Sequence, residues 1–161
     1  MTRFLLCLLM GLVALAARAQ DSAPLFAASL RDIDNRRIAI ADFRGQPLLV
    51  NFWARWCAPC RVEIPELSAI ARTHGPKGLK VIGIGLEDNS PTVKDFVKAY
   101  EMDYLLLFAP AEGIALMRAL GNERAGLPFT LAVDRNGRVV LHKLGPAARA
   151  DLETAAAAAL R

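Results

Sequence analysis

The segment Leu48 to Trp53 (LLVNFW) is apolar except for Asn51, and after three intervening residues Cys57-Ala58-Pro59-Cys60 opens a stretch patterned as a helix. A continuous apolar run of this length suits a central strand buried on both faces. The helix is expected from about Cys57 to His74, with Ile64, Leu67, Ile70 and Ala71 as its apolar stripe and Gly75-Pro76 as its stop. Two cysteines therefore sit where a buried strand meets a helix, which restricts the chain to architectures that alternate parallel strands with helices.

The flanking segments supply the other elements. Phe26–Leu30 and Ile38–Ile40 read as an N-terminal pair of short strands around the turn Asp32-Ile33-Asp34-Asn35, and Asp42 to Pro47 as a loop. Leu79–Leu86 is the next strand, followed by a helix with Ser90 as cap and Pro91 in its first turn. Val93, Phe96, Val97 and Tyr100 give that helix its apolar face. Tyr104–Phe108 is a short strand, and Ala111–Leu120 a helix ended by Gly121-Asn122. Phe129–Val133 and Arg138–Lys143 form a hairpin across Asp134-Arg135-Asn136-Gly137, and a last helix starts near Ala147. Ala155 to Ala159 reads as a helix surface, since alanine is the best helix former. This order demands an α/β fold, a central mixed β-sheet with parallel crossovers and an antiparallel edge, flanked by helices on both faces.

Residues 1–19 read as a signal peptide: Arg3 is the positive start, Phe4 to Ala17 an unbroken apolar run, and Ala17-Arg18-Ala19 a cleavage signal before Gln20. The run is shorter than the roughly 20 residues of a membrane span, and an uncleaved anchor is the alternative. Cys7 lies inside the run as a small hydrophobe and is expected to leave with it. Residues 20–161 are then a single domain, long enough to bury a full core. Removing Arg3 and Arg18 lowers the formal charge from +4 to +2. The remaining cations are scattered among acids, which argues against a nucleic-acid surface. Membrane contact is expected only through the N-terminal segment, if it is retained.

Export leaves Cys57 and Cys60 in a compartment where disulfides persist. Closing so short a loop removes little unfolded-state entropy, so a purely structural bridge has small value. Chemistry is the better explanation. At the helix start the Cys57 sulfur lies near unpaired N–H groups and the positive dipole end, both of which lower a thiol pKa below its usual value of about 8.5. Cys60 follows on the same helical face, placed to resolve a mixed disulfide. Potentials of such pairs span about 150 mV, roughly 7 kcal/mol for two electrons, so the fold does not fix the direction of flow.

Other uses fit less well. Arg61 follows Cys60 where a c-type haem site requires histidine, and a structural zinc site wants four ligands while only His74 and His142 remain. No metal and no cofactor is called for. Glu63 lies one turn deeper than Cys60; spacing alone leaves a proton-exchanging carboxyl and a solvated helix glutamate as equal readings.

Asn51-Phe52-Trp53-Ala54-Arg55-Trp56-Cys57-Ala58-Pro59-Cys60-Arg61-Val62-Glu63-Ile64-Pro65 is similar to the TlpA/ResA-type exported thioredoxins. Ala125 to Gly137 resembles that family's G-x-P strand and turn, and Asp42-Phe43-Arg44-Gly45 its loop before the central strand. The resemblance implies a thioredoxin fold with an extra N-terminal β-hairpin. It also implies an exported, periplasmic thiol-disulfide oxidoreductase, acting as a reductant of protein disulfides such as those of apocytochromes or metallochaperones. A membrane thiol reductant would be the electron donor. A copper-carrier module and a disulfide oxidant of the same fold are the alternatives. By resemblance Cys57 is the attacking thiol, Cys60 the resolving thiol and Glu63 the active-site glutamate. Pro128 matches the family's cis-proline, which would set the Leu127 backbone opposite the cysteines to pair with a substrate strand. Asn51 replaces the buried aspartate of cytoplasmic thioredoxins, leaving Glu63 as the nearby carboxylate. Phe129 departs from the family pattern and is expected to place a bulky apolar group beside the active site. Trp53 is expected in the core, and Trp56 exposed at the site as a partner contact. Arg55 and Arg61 either favour the thiolate or are simply solvated.

Overall fold

Leu48–Trp53 is the strand β3, and all six of its residues are buried. The computed structural model describes residues 21–161, so the expected signal segment, its cleavage point and Cys7 lie outside the described residues. The preceding chain forms a short helix α1 (Ala23–Ala27) and the strands β1 (Ser29–Asp32) and β2 (Arg37–Ala39). After β3 come α2 (Ala58–His74), β4 (Lys80–Gly85), α3 (Pro91–Ala99), β5 (Leu105–Phe108) and α4 (Glu112–Ala119). The chain ends with β6 (Phe129–Val133), β7 (Val139–Leu144) and α5 (Arg149–Leu160). Among the described residues no helix is long and apolar enough to cross a membrane.

The seven strands described form one sheet in the order β2-β1-β5-β4-β3-β6-β7. β3, β4 and β5 run parallel, and antiparallel pairs close both sides: β1 against β5, and β6 against β3. This is the order expected of a thioredoxin fold with an added N-terminal hairpin. Alternation along β3 divides the core. Leu48, Val50 and Phe52 pack with Leu25 and Phe26 of α1 and Leu116 and Met117 of α4. Leu49 faces the other way, onto Leu67 and Ile70 of α2 and onto α5. Trp53, on that same side, packs with Ile64 of α2 and Val93 of α3. Each such apolar side chain contributes about 1.5–3 kcal/mol on burial, so β3 is the anchor of both layers. Trp53 lies against Gly83: a Cβ there would meet Tyr104 Cε2 and Leu106 Cδ2 at 2.9 Å, so the glycine makes room for this packing.

Four expectations need correction. Ala23–Ala27 is a helix and β1 begins only at Ser29. Adjacent Leu25 and Phe26 are both buried, which a strand with one solvent face cannot achieve. Ile40–Phe43, expected to lie partly in the loop before β3, forms a turn of 3₁₀ helix. Gly75-Pro76 does not end the helical path. Gly75 keeps a right-handed conformation, a 3₁₀ turn runs through Lys77, and left-handed Gly78 (φ 96°) makes the stop. Finally, Ala155, Ala156 and Ala159 are buried rather than surface residues, and their small side chains pack against Leu49, Leu67 and Ile70.

Candidate active site

β3 delivers the chain to a turn in which the Cys57 N–H donates to Ala54 O at 3.1 Å, and the Leu86 N–H holds Trp53 O at 3.0 Å. Cys57 then caps α2 in an extended conformation (φ −81°, ψ 101°), with its Sγ accepting the Cys60 N–H at 3.2 Å. A cysteine thus stands where serine or aspartate usually caps a helix, and its sulfur takes the Cys60 N–H, one of the first-turn donors that the helix itself leaves unpaired. Pro59 in that turn gives up an N–H that no helical carbonyl would have bonded. Cys57 and Cys60 are joined in a disulfide with their Cα atoms 5.3 Å apart. Both are buried, against Trp53, Ile64 and Leu127. Pro65 lies inside α2 and leaves the Arg61 carbonyl without its helical donor.

Glu63 is only 1 % exposed, so the solvated reading does not hold. Its Oε1 accepts the Ala147 N–H at 2.5 Å, whereas Oε2 is buried without a hydrogen-bond partner. Burial pushes the carboxyl up from 4.5 to about 7, opposed in turn by the Ala147 N–H, the Asn51 amide and the charge of Lys143. Asn51 donates its amide to Thr130 Oγ1 at 2.9 Å, and favours the Glu63 anion without satisfying Oε2. Lys143 itself pairs with Asp151 at 3.2 Å.

The Leu127–Pro128 peptide is cis, and Leu127 packs against the cluster that contains both cysteines. Asn122 shapes the approach to it: its Oδ1 accepts the Gly126 N–H at 3.1 Å and its Nδ2 donates to Gly126 O at 2.8 Å. Trp56 is 68 % exposed at the edge of a groove shared with Leu86, Glu87, Val93 and Pro110. Trp53 is buried and stacks on Phe96, ring centroids 5.7 Å apart.

Phe129 is not beside the cysteines. It is fully buried on the opposite face of the sheet, stacked on Phe52 at 5.5 Å and edge-on to His142 at 4.7 Å. Register explains this: Phe129 pairs with Phe52 and shares its face, while Thr130 pairs with Asn51 and shares that one. The two histidines are engaged elsewhere, His74 Nε2 with Glu153 Oε2 at 2.6 Å and His142 Nε2 with Leu120 O at 3.2 Å. Sequence reasoning overlooked Thr130, the Ala147 amide, Lys143, Asn122 and Glu87. Thr130 was accessible in principle, because strand alternation after Pro128 decides which side chain turns toward Asn51. The others depend on loop contacts that no spacing reveals.

Residues 18–159 match the Redoxin family. Over 122 residues, 76 % of this chain and 68 % of the relative, it is 28 % identical to the thiol-disulfide oxidoreductase ResA of Bacillus thuringiensis subsp. konkukian. Over 111 residues, 68 % of this chain and 56 % of the relative, it is 34 % identical to the thiol:disulfide interchange protein DsbE of Pseudomonas aeruginosa. A crystal structure of a DsbE-type thiol:disulfide interchange protein from Chlorobium tepidum superposes with a TM-score of 0.73 at 26 % identity, over 83 % of this chain and 93 % of that one. The chain belongs to the Redoxin family, as a thioredoxin-fold relative of the TlpA/ResA-like thiol-disulfide oxidoreductases.

Proposed function

We propose that this protein is an exported thiol-disulfide oxidoreductase that reduces disulfides in other periplasmic proteins through Cys57 and Cys60. The observation that carries the reading is the cysteine pair at the N-terminus of α2, with a buried carboxyl one turn below it.

In the reduced enzyme the Cys57 thiolate attacks one sulfur of a substrate disulfide. A mixed disulfide forms, and the first substrate thiolate leaves and takes up a proton. Cys60 then loses its proton and attacks Cys57 Sγ, which closes the intramolecular bond and releases the second substrate thiolate. The second substrate thiolate takes up the proton that Cys60 gave up. The first takes one from solvent, equal to the one Cys57 released on forming its thiolate. Counted from the dithiol, the enzyme loses two electrons and two protons and the substrate gains them. Cys57 suits the first step because the helix N-terminus favours its anion. Cys60 has no such help at its deeper position, and Glu63 is the base proposed to take its proton. A carboxyl titrating near 7 is close to evenly divided between acid and base at neutral pH, which suits a group that must accept a proton and then return it.

Trp56 and the Leu127–Pro128 segment form the proposed contact surface for the substrate chain. Electrons would return to the pair from a membrane thiol reductant, and apocytochromes or metallochaperones are the kind of substrate proposed.

The test is insulin reduction with dithiothreitol as donor, joined to a Cys60→Ser variant in the export compartment. Turnover in the first assay and partners trapped on Cys57 in the second are expected. Absence of both overturns the reading. Titration of the pair against glutathione buffers fixes the direction: a potential well below −200 mV fits a reductant, and one near −120 mV an oxidant.

A further inference from the structure

Between Trp53 and Cys57 the chain has no regular structure, yet this short loop places both the attacking sulfur and Trp56. Among the described residues, a carboxylate from outside reaches into it. Glu87, just beyond β4, accepts the Arg55 backbone N–H on Oε1 at 3.0 Å. Its Oε2 lies 3.4 Å from Arg55 Nε, near enough for an ion pair though without the geometry of a hydrogen bond. The Glu87 side chain is 14 % exposed and that of Arg55 45 %. A carboxylate this covered needs compensation, and here both its partners belong to one residue of the active-site loop.

We propose that Glu87 is a positioning residue for the disulfide exchange, holding the loop through the Arg55 backbone and governing, with the Arg55 guanidinium, how readily Cys57 forms its thiolate. This rests on the function proposed above. A neutral amide could accept the same backbone N–H, so the negative charge at this position matters through its field. The charged groups around this end of the molecule are Arg55, Arg61 and Glu63 on the loop and α2, with Glu87 and Asp88 after β4. Cys57 is two residues from Arg55. Glu87 alone would oppose a thiolate there, Arg55 alone would favour it, and the ion pair leaves the field small. Arg55 thus keeps the thiolate-favouring role that one sequence-based reading gave it, and at the same time offsets the largely covered carboxylate of Glu87.

The two charges can be separated. In Glu87→Gln the loop bond to Arg55 N–H persists while the negative charge is gone; in Arg55→Ala the backbone bond persists while the positive charge is gone. The Cys57 thiol pKa is read from the pH dependence of its alkylation by iodoacetamide in the reduced protein, with the site identified by mass spectrometry. Glu87→Gln should lower it by about half a unit, and Arg55→Ala should raise it by about as much. At a pH below the thiol pKa that is about a threefold faster or slower alkylation respectively. Glu87→Ala removes the loop bond as well, and should reduce insulin more slowly than Glu87→Gln. A purely structural role would change melting temperature while leaving the two pKa values alone or moving them the same way, and either result overturns the proposal. Should Glu87→Gln fail to fold, the sign in Arg55→Ala still decides. Alkylation needs no protein partner, so these results stand apart from the function: an inactive wild type with opposite pKa shifts would reject the function and keep the clamp.

Discussion

Glu63 Oε1 accepts the Ala147 N–H at 2.5 Å, joining the helix that carries both cysteines to the loop that enters α5. The same carboxyl leaves Oε2 unpartnered in the core. It is therefore tied firmly enough to stay in place and satisfied too little to ionise easily, as the proton-carrying role proposed for it beneath Cys60 would require.

The first prediction concerns stability against pH. Glu63 has a folded pKa near 7 against 4.5 unfolded, so between those values the folded state holds a proton that the unfolded state has lost. Stability is then unaffected below about 4.5, falls as pH rises through this window, and levels off above about 7. The full penalty is on the order of 3 kcal/mol for a shift of this size. The melting temperature of the oxidised protein should fall from pH 5 to pH 8, and Glu63→Gln should flatten that dependence.

A kinetic prediction separates the two cysteines. Glu63→Gln should slow resolution of the mixed disulfide by about 10²-fold, the lower end of general acid–base effects. Alkylation of Cys57 should change little, since the groups proposed to set its thiolate are the helix terminus, Arg55 and Glu87 rather than Glu63. Acid quench and mass spectrometry should show the Cys57 mixed disulfide accumulating in the variant and not in the wild type.

Asn51 gives a third test. Its amide serves Thr130 Oγ1 at 2.9 Å and lies beside Glu63. In Asn51→Asp two carboxyls would share this buried space. They should titrate as a coupled pair, with one proton retained well above pH 7. Asn51→Ala should cost about 1–3 kcal/mol in denaturant melts, because it leaves a buried polar group unmatched.

Trp56 should behave in the opposite manner. Being 68 % exposed, it supports little packing. Trp56→Ala should change stability by less than about 0.5 kcal/mol. It should weaken association with a trapped protein substrate by 1 kcal/mol or more, as removal of an exposed aromatic anchor does at interfaces. Equal affinity for wild type and variant, measured on a Cys60→Ser background, would remove Trp56 from the contact surface.

What could be read in advance follows from how locally each feature is encoded. The apolar run of β3, the Ser90-Pro91 start of α3 and the Asn136-Gly137 hairpin carry their signals within a few residues, and they stand where expected. The placement of Cys57 and Cys60 at the strand-to-helix junction was equally legible, because that geometry needs only the local sequence. The short helix at Ala23–Ala27 was not, since five residues are too few to show a helical period and its burial is imposed by α4. The Glu63–Ala147 and Asn51–Thr130 bonds join residues 84 and 79 positions apart. Neither is visible until the sheet is assembled.

Phe129 shows how a single register step separates specificity from stability. Being next to Pro128 placed it, in sequence, beside the cysteines; strand pairing with Phe52 turns its ring to the far side of the sheet. A residue lining the substrate surface could be truncated with loss of binding alone. A ring fully buried between Phe52 and His142 cannot, because its removal leaves a cavity in close-packed surroundings. Phe129→Ala should therefore cost about 3–5 kcal/mol of unfolding free energy. At temperatures where the variant remains folded, Cys57 alkylation and the preference among substrates should match the wild type. A shift in substrate preference with stability intact would instead return Phe129 to the active-site surface.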